Sequence, residues 1–433
     1  MPRWIGWVLI AMPSLSILGT WLLGTFPLFQ LVAMVLVIAA IWDWRRFFDK
    51  SRTMLTIFGL SIAIVVSAVV AMAAYRPPVG GAAVQSVAMI SCIALALTLV
   101  QLYRGEATVL TVIRGWMYAV AILGGITVYQ RVTQDLPALS GPFPTPGYLA
   151  GSMVAGIFLM PVGFALEKDH RLRWAYPVIA VVATWVVWTT HRSVGFAVAV
   201  AILLVWLALE RWTITAALVF VAGVVTLIFR PGGVPLRWAD VGMEPPLDAT
   251  VHSRLLDAAW TILRDSHFLG VGPGGLASHW PDTFVGYRGP YSALMEIASQ
   301  YGAAVGVVLM CALIGAVAWC GVRLWQTRGG PLRSVERAPA FWLALVILTL
   351  PITTSLQAQW LNFPLSALVV ATLALLARHI ESPQGRALVW SAGPGAAEET
   401  AGPPDHGDRL DTEPDGEEDP TRSVGPGRGD TSP

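Results

Sequence analysis

MLTIFGLSIAIVVSAVVAMAA, residues 54–74, decides the fold, because it carries no charged side chain over its whole length. A helix needs about twenty consecutive apolar residues to cross the hydrocarbon core of a bilayer. The composition of the whole chain agrees, since 55% of its 433 residues are apolar and 13% are charged, whereas soluble proteins carry roughly a quarter charged residues. We therefore predict that residues 54–74 span a membrane and that the chain is an integral membrane protein.

Further apolar runs on both sides of this stretch predict an all-α, polytopic transmembrane bundle of about twelve helices. The runs are 4–23, 28–42, 54–74, 83–102, 108–128, 147–166, 174–190, 194–209, 212–229, 292–322, 341–357 and 363–377. The first run is followed by a second apolar run and not by a small-residue cleavage site. This order favours a retained first helix over a signal peptide.

The same runs divide the chain into four parts. Residues 1–229 are predicted to hold helices one to nine, and residues 292–380 to hold helices ten to twelve. Residues 230–291 are predicted to form a long extracytoplasmic loop. Residues 381–433 are rich in Gly, Pro, Asp and Glu, with almost no aromatic residues. Such a segment cannot bury enough apolar area to offset the entropy of ordering, so it is predicted to be a disordered acidic tail.

Basic residues cluster after even-numbered runs, and this sets the predicted orientation. The three clusters are Arg45, Arg46, Lys50 and Arg52; Lys168, Arg171 and Arg173; and Arg323, Arg328, Arg333 and Arg337. Loops rich in Lys and Arg stay on the cytoplasmic side. We therefore predict a multi-pass protein of the plasma membrane with both termini in the cytoplasm.

The predicted external loop contains an amphipathic helix at residues 251–265. Its apolar residues recur at helical spacing, at Leu255, Leu256, Ala259, Ile262 and Leu263. Such a helix either lies on the membrane surface or caps the bundle. The loop also carries several arginines, among them Arg254 and Arg288. They favour an anionic ligand such as a phosphate, which an arginine can grip with two parallel hydrogen bonds, although a long loop can be translocated whatever its charge.

Three further features leave alternatives open. Glycine-rich residues 269–275 either present backbone amides to an anion or form a plain connector. Arg192 lies between runs seven and eight, where it either faces a partner or wet cavity or extends its charged end to the interface. Arg114 lies within run five and would anchor the cytoplasmic end of that helix if the helix began later than residue 108.

Four stretches share a pattern with one known family. They are PTPGYLA at 144–150, THRSVG at 190–195, Arg254 with Trp260 and DSHFLGVGPG at 265–274, and PYSALMEIASQYG at 290–302. The third stretch is the most specific. Together they resemble the O-antigen ligase and polymerase superfamily over roughly residues 140–320, and the late external loop matches its twelve-helix, GT-C-like arrangement.

The resemblance implies a cell-envelope polysaccharide enzyme that transfers glycan from a polyprenyl-diphosphate carrier at the outer face of the membrane. The acceptor would be a glycan, a lipid or a protein, and membrane lipids would surround the donor. Neither a metal nor a nucleotide cofactor is implied, nor a nucleic-acid partner. By their match to the family, Arg192 and Arg254 are expected to bind the diphosphate, and Arg288 of the same loop is a further candidate.

One departure concerns the group that activates the acceptor. The family has a histidine near the start of the tenth helix, but this chain has Gly289, Pro290 and Tyr291 there. Tyr291, Glu296 or His279 could take over the role, since a base needs only to reach the acceptor hydroxyl. Two other functions stay open: a transporter or flippase of lipid-linked glycan, and a non-catalytic scaffold for polysaccharide assembly.

Overall fold

The computed structural model describes residues 3–22, 28–44, 49–134, 139–143, 145–228, 249–284, 289–356 and 364–382. Within these residues all regular structure is helical. The helices are α1 (Arg3–Leu22), α2 (Leu28–Trp44), α3 (Arg52–Tyr75), α4 (Val79–Gln101), α5 (Glu106–Thr133), α6 (Pro146–Leu166), α7 (His170–Thr189), α8 (Ser193–Leu209), α9 (Thr213–Ile228), α10 (Ala249–Asp265), α11 (Leu276–His279), α12 (Ala293–Tyr301), α13 (Ala303–Gln326), α14 (Ala338–Thr354) and α15 (Pro364–Glu381).

Six of these helices, α3, α4, α5, α6, α7 and α13, are long and apolar enough to cross a membrane. Shorter apolar helices lie within α1, α8, α9 and α14. The prediction of an all-helical membrane protein is thereby confirmed. The count of twelve crossings, the orientation and the kind of membrane stay predictions.

Burial separates the central helices from the peripheral ones. The most apolar part of α6 is 83% buried inside the protein, against 6% for α3 and 11% for α13. A helix that is apolar all round but unburied by protein needs an apolar solvent, which the bilayer supplies. We therefore place α6 at the centre of the bundle and α3 and α13 at its lipid-facing edge.

Short connections make neighbouring helices antiparallel and give the bundle two ends. The basic end holds the connections 102–105, 167–169 and 327–337, and the loop end holds the connections 76–78 and 190–192. Helices α10 and α12 lie at the loop end, where the turn before α11 contacts Pro77 and Gly81. The candidate functional residues lie at the loop end.

The prediction of one continuous run over 292–322 is wrong, because the chain breaks between α12 and α13. Gly302 has a φ of 95°, a conformation that residues with a side chain rarely adopt. A Cβ at Gly302 would lie 2.8 Å from the Leu269 carbonyl oxygen, and the Ala303 amide donates to the Phe268 carbonyl. The break therefore depends on a segment that is distant in sequence.

The amphipathic helix is confirmed as α10, which begins two residues earlier than predicted. Leu255, Ala259, Ile262 and Leu263 are buried, and Leu256 is half-buried. Leu255 packs against Tyr291, while Ile262 packs with Val271 and Leu276. Because its apolar stripe contacts protein, α10 caps the bundle.

Helix α5 begins at Glu106, before the predicted residue 108, so the idea that it begins later is wrong. Arg114 lies two turns inside the helix. Its Nε and Nη2 atoms donate to the two Glu167 carboxylate oxygens, each at 2.8 Å. A bidentate pair of this kind offsets the free-energy cost of placing an arginine within an apolar helix.

At the basic end, α15 continues to Glu381, beyond the predicted run. The Glu381 carboxylate accepts from the Arg52 amide at 2.6 Å, and from the amide and hydroxyl of Thr53 at 2.9 and 2.8 Å. These bonds cap the first turn of α3, whose amides have no partner within the helix. Arg378 adds an ion pair to Asp49 at 2.6 Å. Residues 383–433 of the predicted tail lie outside the described residues.

We expect Glu381→Gln to lower the free energy of unfolding by about 1–2 kcal/mol, because it removes the charge from three hydrogen bonds. Burial raises the pKa of the Glu381 carboxyl, but the Thr53 and Arg52 hydrogen bonds outweigh it, and the net pKa lies below its usual value. The stabilisation is therefore present at neutral pH and is lost as pH falls through that lowered pKa. Thermal unfolding in detergent, followed by tryptophan fluorescence, measures both effects. The exposed control Asp282→Asn should unfold like the wild type, and an equal loss in both variants would contradict the capping role.

Candidate functional site

Two of the four family-like stretches meet at the start of α6. Thr145 precedes the helix without a side-chain cap, and a Cβ at Gly147 would lie 3.6 Å from Nη2 of Arg192. The same Cβ would lie 2.2 Å from the Leu356 carbonyl oxygen, so only glycine allows this approach. The half-buried Arg192 guanidinium therefore lies against the first turn of α6. That turn carries a partial positive charge, so an anion here would be attracted by both.

The other two stretches meet where the glycine-rich segment crosses the end of α12. The amides of Val271 and Gly272 donate to the Ser299 and Gln300 carbonyls at 2.9 and 3.0 Å. The Gly274 amide donates to the Gln300 side-chain oxygen at 2.9 Å. These bonds satisfy carbonyls at the helix end that have no partner within α12.

Every amide of residues 270–275 that can donate is used inside the protein. Besides the three bonds above, Gly270 donates to the Ser266 hydroxyl and Gly275 to the Gly272 carbonyl, and Pro273 has no N–H. The segment was predicted either to present backbone amides to an anion or to form a plain connector, and the structure favours the connector. An anion site built from these amides is not present.

Glycine is required in this connector for two reasons. Gly270, Gly272 and Gly274 have φ values of 81°, 83° and 74°. A Cβ at Gly274 would also lie 2.2 Å from the carbonyl carbon of Gly81 at the start of α4. The connector therefore fixes the α10–α12 region to α4 by direct backbone contact.

Arg254 lies on the outward face of α10, opposite the buried stripe, and its side chain is exposed. Within the described residues it makes no ion pair with Asp257, the neighbour three residues along. Its guanidinium is therefore accessible from outside the bundle. Arg192 lies on a different element, at the α7–α8 corner, and Arg288 lies outside the described residues.

Tyr291 and Glu296, two of the three predicted candidates for activating the acceptor, are both buried. Tyr291 packs beneath Leu255 of α10. The Glu296 carboxylate accepts a long hydrogen bond, at 3.4 Å, from the side-chain Nε2 of Gln85 on α4. In this conformation neither side chain reaches the surface on which Arg254 lies.

His279, the third candidate for that role, is exposed on α11. Its Nδ1 lies 2.8 Å from the Gly275 carbonyl oxygen. A carbonyl can only accept, so Nδ1 is the donor in this bond, and in the neutral ring the lone pair is then on Nε2. This is the tautomer that a general base requires.

Sequence reasoning does not find two hydrogen-bonding side chains at this end, Gln85 and Gln300. A glutamine inside an apolar run is a usable signal, because polar groups in a membrane segment tend to have partners. The partner itself depends on how α4 and α12 pack, which the sequence does not show. Within the described ranges, no group of three or more His, Cys, Asp or Glu side chains is placed to hold a metal ion.

No family model matches this sequence, and neither does any curated protein. The likeness to the O-antigen ligase and polymerase superfamily therefore rests on the four motif stretches alone, and it stays a hypothesis.

Gly274→Ala tests the connector. We expect it to lower the free energy of unfolding by about 2 kcal/mol or more, because the new Cβ both clashes with Gly81 and strains a positive φ. Gly125→Ala in α5 is the matched control, since a Cβ there meets open space and alanine favours the helix by about 1 kcal/mol. Thermal unfolding of both variants in detergent measures the difference. A Gly274→Ala protein as stable as the Gly125→Ala protein would contradict the tight approach.

Proposed function

We propose that this chain is a membrane glycosyltransferase of the O-antigen ligase or polymerase type. It would transfer or polymerise glycan from a polyprenyl-diphosphate carrier onto a glycan, lipid or protein acceptor, for cell-envelope polysaccharide synthesis. One observation carries the proposal: the four family-like stretches associate as two pairs. Residues 144–150 meet 190–195 through Gly147 and Arg192, and residues 265–274 bind 290–302 through backbone hydrogen bonds. These pairings bring all four stretches to the loop end of the bundle, which supports one shared site.

The chemistry requires the donor's diphosphate to leave as the acceptor attacks. The acceptor hydroxyl loses its proton to a base, its oxygen bonds to the anomeric carbon, and the bond from that carbon to the phosphate oxygen breaks. Negative charge then builds on the diphosphate oxygens. Arg192 and Arg254 are proposed to bind those oxygens, with Arg288 as a third candidate. Fixed cations aimed at developing charge lower the barrier, because they need no reorganisation during the reaction.

For the base we propose His279 in preference to Tyr291 and Glu296. Its side chain is exposed, and α11 directly follows the connector that holds α10 in place. Tyr291 or Glu296 would first have to leave buried positions. Glu296 is then left with a structural role, as the partner of Gln85 on α4.

The flippase alternative draws on the broken α12–α13 pair and the buried Glu296, since transporters use broken helices with charged groups near the middle of the membrane. Helix α13, however, has 24 residues after the break and is long enough to span by itself. The break therefore lies at the end of the span, which favours the transferase. A non-catalytic scaffold would not require arginines at positions 192 and 254.

Arg254→Ala should lower the rate of glycan transfer by about 100-fold or more, which is the usual effect of removing one group that stabilises a developing oxyanion. The measurement supplies purified protein with a polyprenyl-diphosphate oligosaccharide and candidate acceptors, and follows the product by mass spectrometry. Arg264→Ala is the control, since Arg264 is also exposed on α10. If wild-type protein transfers nothing to any acceptor, the proposed function fails. If both variants keep full activity, the assignment of Arg254 fails.

His279→Gln should lower transfer by about 100-fold or more, because general bases contribute at least that much. The exposed His267, changed to Gln, is the matched control and should keep its activity. Transfer by His279→Gln at the wild-type rate would exclude His279 as the base.

A further inference from the structure

A cavity of about 740 Å³ lies at the basic end, opposite the proposed transfer site. Residues of the α4–α5 turn, the first turns of α5, the α6–α7 connection, the end of α13, the start of α14 and the end of α15 surround it. Its volume is in the range of pockets that hold small ligands. None of the roles proposed for the loop end involves it.

The Arg114–Glu167 ion pair is part of the cavity lining, and the Arg114 side chain extends back from α5 to Glu167 in the α6–α7 connection. Arg114 is eight residues beyond Glu106, which at 1.5 Å per residue places it about 12 Å into α5. The Glu167 side chain is 1% exposed and that of Arg114 is 31% exposed. Burial raises the pKa of the Glu167 carboxyl, but the bonds from Arg114 and the backbone outweigh it and the net pKa is lowered. Both partners are therefore charged, and the lining contains a fixed ion pair at the ends of the helices.

The lining carries balanced charge over an apolar wall. Its cations are Arg104, Arg114, Lys168 and Arg323, and its carboxylates are Glu106, Glu167, Asp169 and Glu336. The apolar wall comes from Ala107, Leu110, Val335, Pro339 and Ile380. A ligand with a net negative charge would meet as many carboxylates as cations. A ligand that carries one charge of each sign and is attached to an apolar body fits this lining better.

We propose that the cavity binds the head group of a zwitterionic phospholipid. The phosphate would face Arg323 and Arg104, since arginine is suited to phosphate oxygens. The ammonium group would face the Glu336 carboxylate. The first carbons of the acyl chains would contact Leu110 and Ile380. The lining lies at the ends of apolar helices, which is the level of lipid head groups in a bilayer.

The test is lipid binding by the full chain, followed by native mass spectrometry after delipidation in detergent. The probes are dioleoyl-phosphatidylethanolamine, dioleoyl-phosphatidylglycerol, and phosphoethanolamine without acyl chains. We expect phosphatidylethanolamine to bind at least fivefold more tightly than the other two. Phosphatidylglycerol, whose head group has no ammonium, tests whether a zwitterion is required. Phosphoethanolamine, which has no acyl chains, tests whether a lipid is required.

Two variants connect this binding to the cavity. Arg323→Gln removes a lining cation, and Ala107→Phe fills space without changing charge. Each should weaken phosphatidylethanolamine binding at least fivefold. Arg328→Gln is the control, because Arg328 is an exposed arginine close in sequence that lies over Trp325 and outside the lining.

Several results would overturn the proposal. Equal binding by the wild type and both cavity variants would mean that the lipid sits elsewhere. Phosphatidylglycerol binding as tightly as phosphatidylethanolamine would reject the zwitterion. Phosphoethanolamine binding as tightly as the lipid would reject a phospholipid in favour of a soluble ligand. Each outcome is independent of whether the loop end transfers glycan.

Discussion

The loop end depends on how the carbonyls at the end of α12 are satisfied. Ser299 and Gln300 end a helix in a buried setting, where an unpaired carbonyl costs roughly 1–3 kcal/mol. The amides of Val271 and Gly272 supply the missing donors. Because the donors come from a connector, the connector, α12 and the Gly302 break form one unit. Helix α10, which precedes the connector, is held over that unit by its buried stripe.

This arrangement gives a physical reason for where the proposed site lies. The buried face of α10 is fixed by packing. Arg254 therefore projects from a rigid element, as a preorganised cation must. Arg192 is fixed in a different way, by the close approach of Gly147 to the α7–α8 corner. Tyr291 and Glu296 are buried within the unit, whereas the exposed His279 is the residue proposed to act on a substrate. The bundle thus separates residues that build the site from residues that would touch a ligand.

Much of the fold could be predicted because apolar runs and helical periodicity are local. The stretch 54–74 and the stripe of α10 were read directly from residue spacing. The break at Gly302 could not be predicted, since glycine is common in membrane helices and the bond from the Ala303 amide to the Phe268 carbonyl depends on how distant segments pack. The pairing of Arg114 with Glu167 also depends on the packing of α5 against α6. At the proposed site, the burial of Tyr291 follows from how α10 packs over it, which residue spacing does not encode.

The central claim is that Arg192 and Arg254 serve one diphosphate at the loop end. The most direct measurement is photo-crosslinking of the full chain in nanodiscs, with a polyprenyl diphosphate that carries a diazirine beside the diphosphate. Peptide mapping by mass spectrometry then locates the labelled residues. The claim predicts labels on both the 144–195 region and α10, with both reduced by unlabelled polyprenyl diphosphate. Labels confined to one region, or to the basic end, would contradict it.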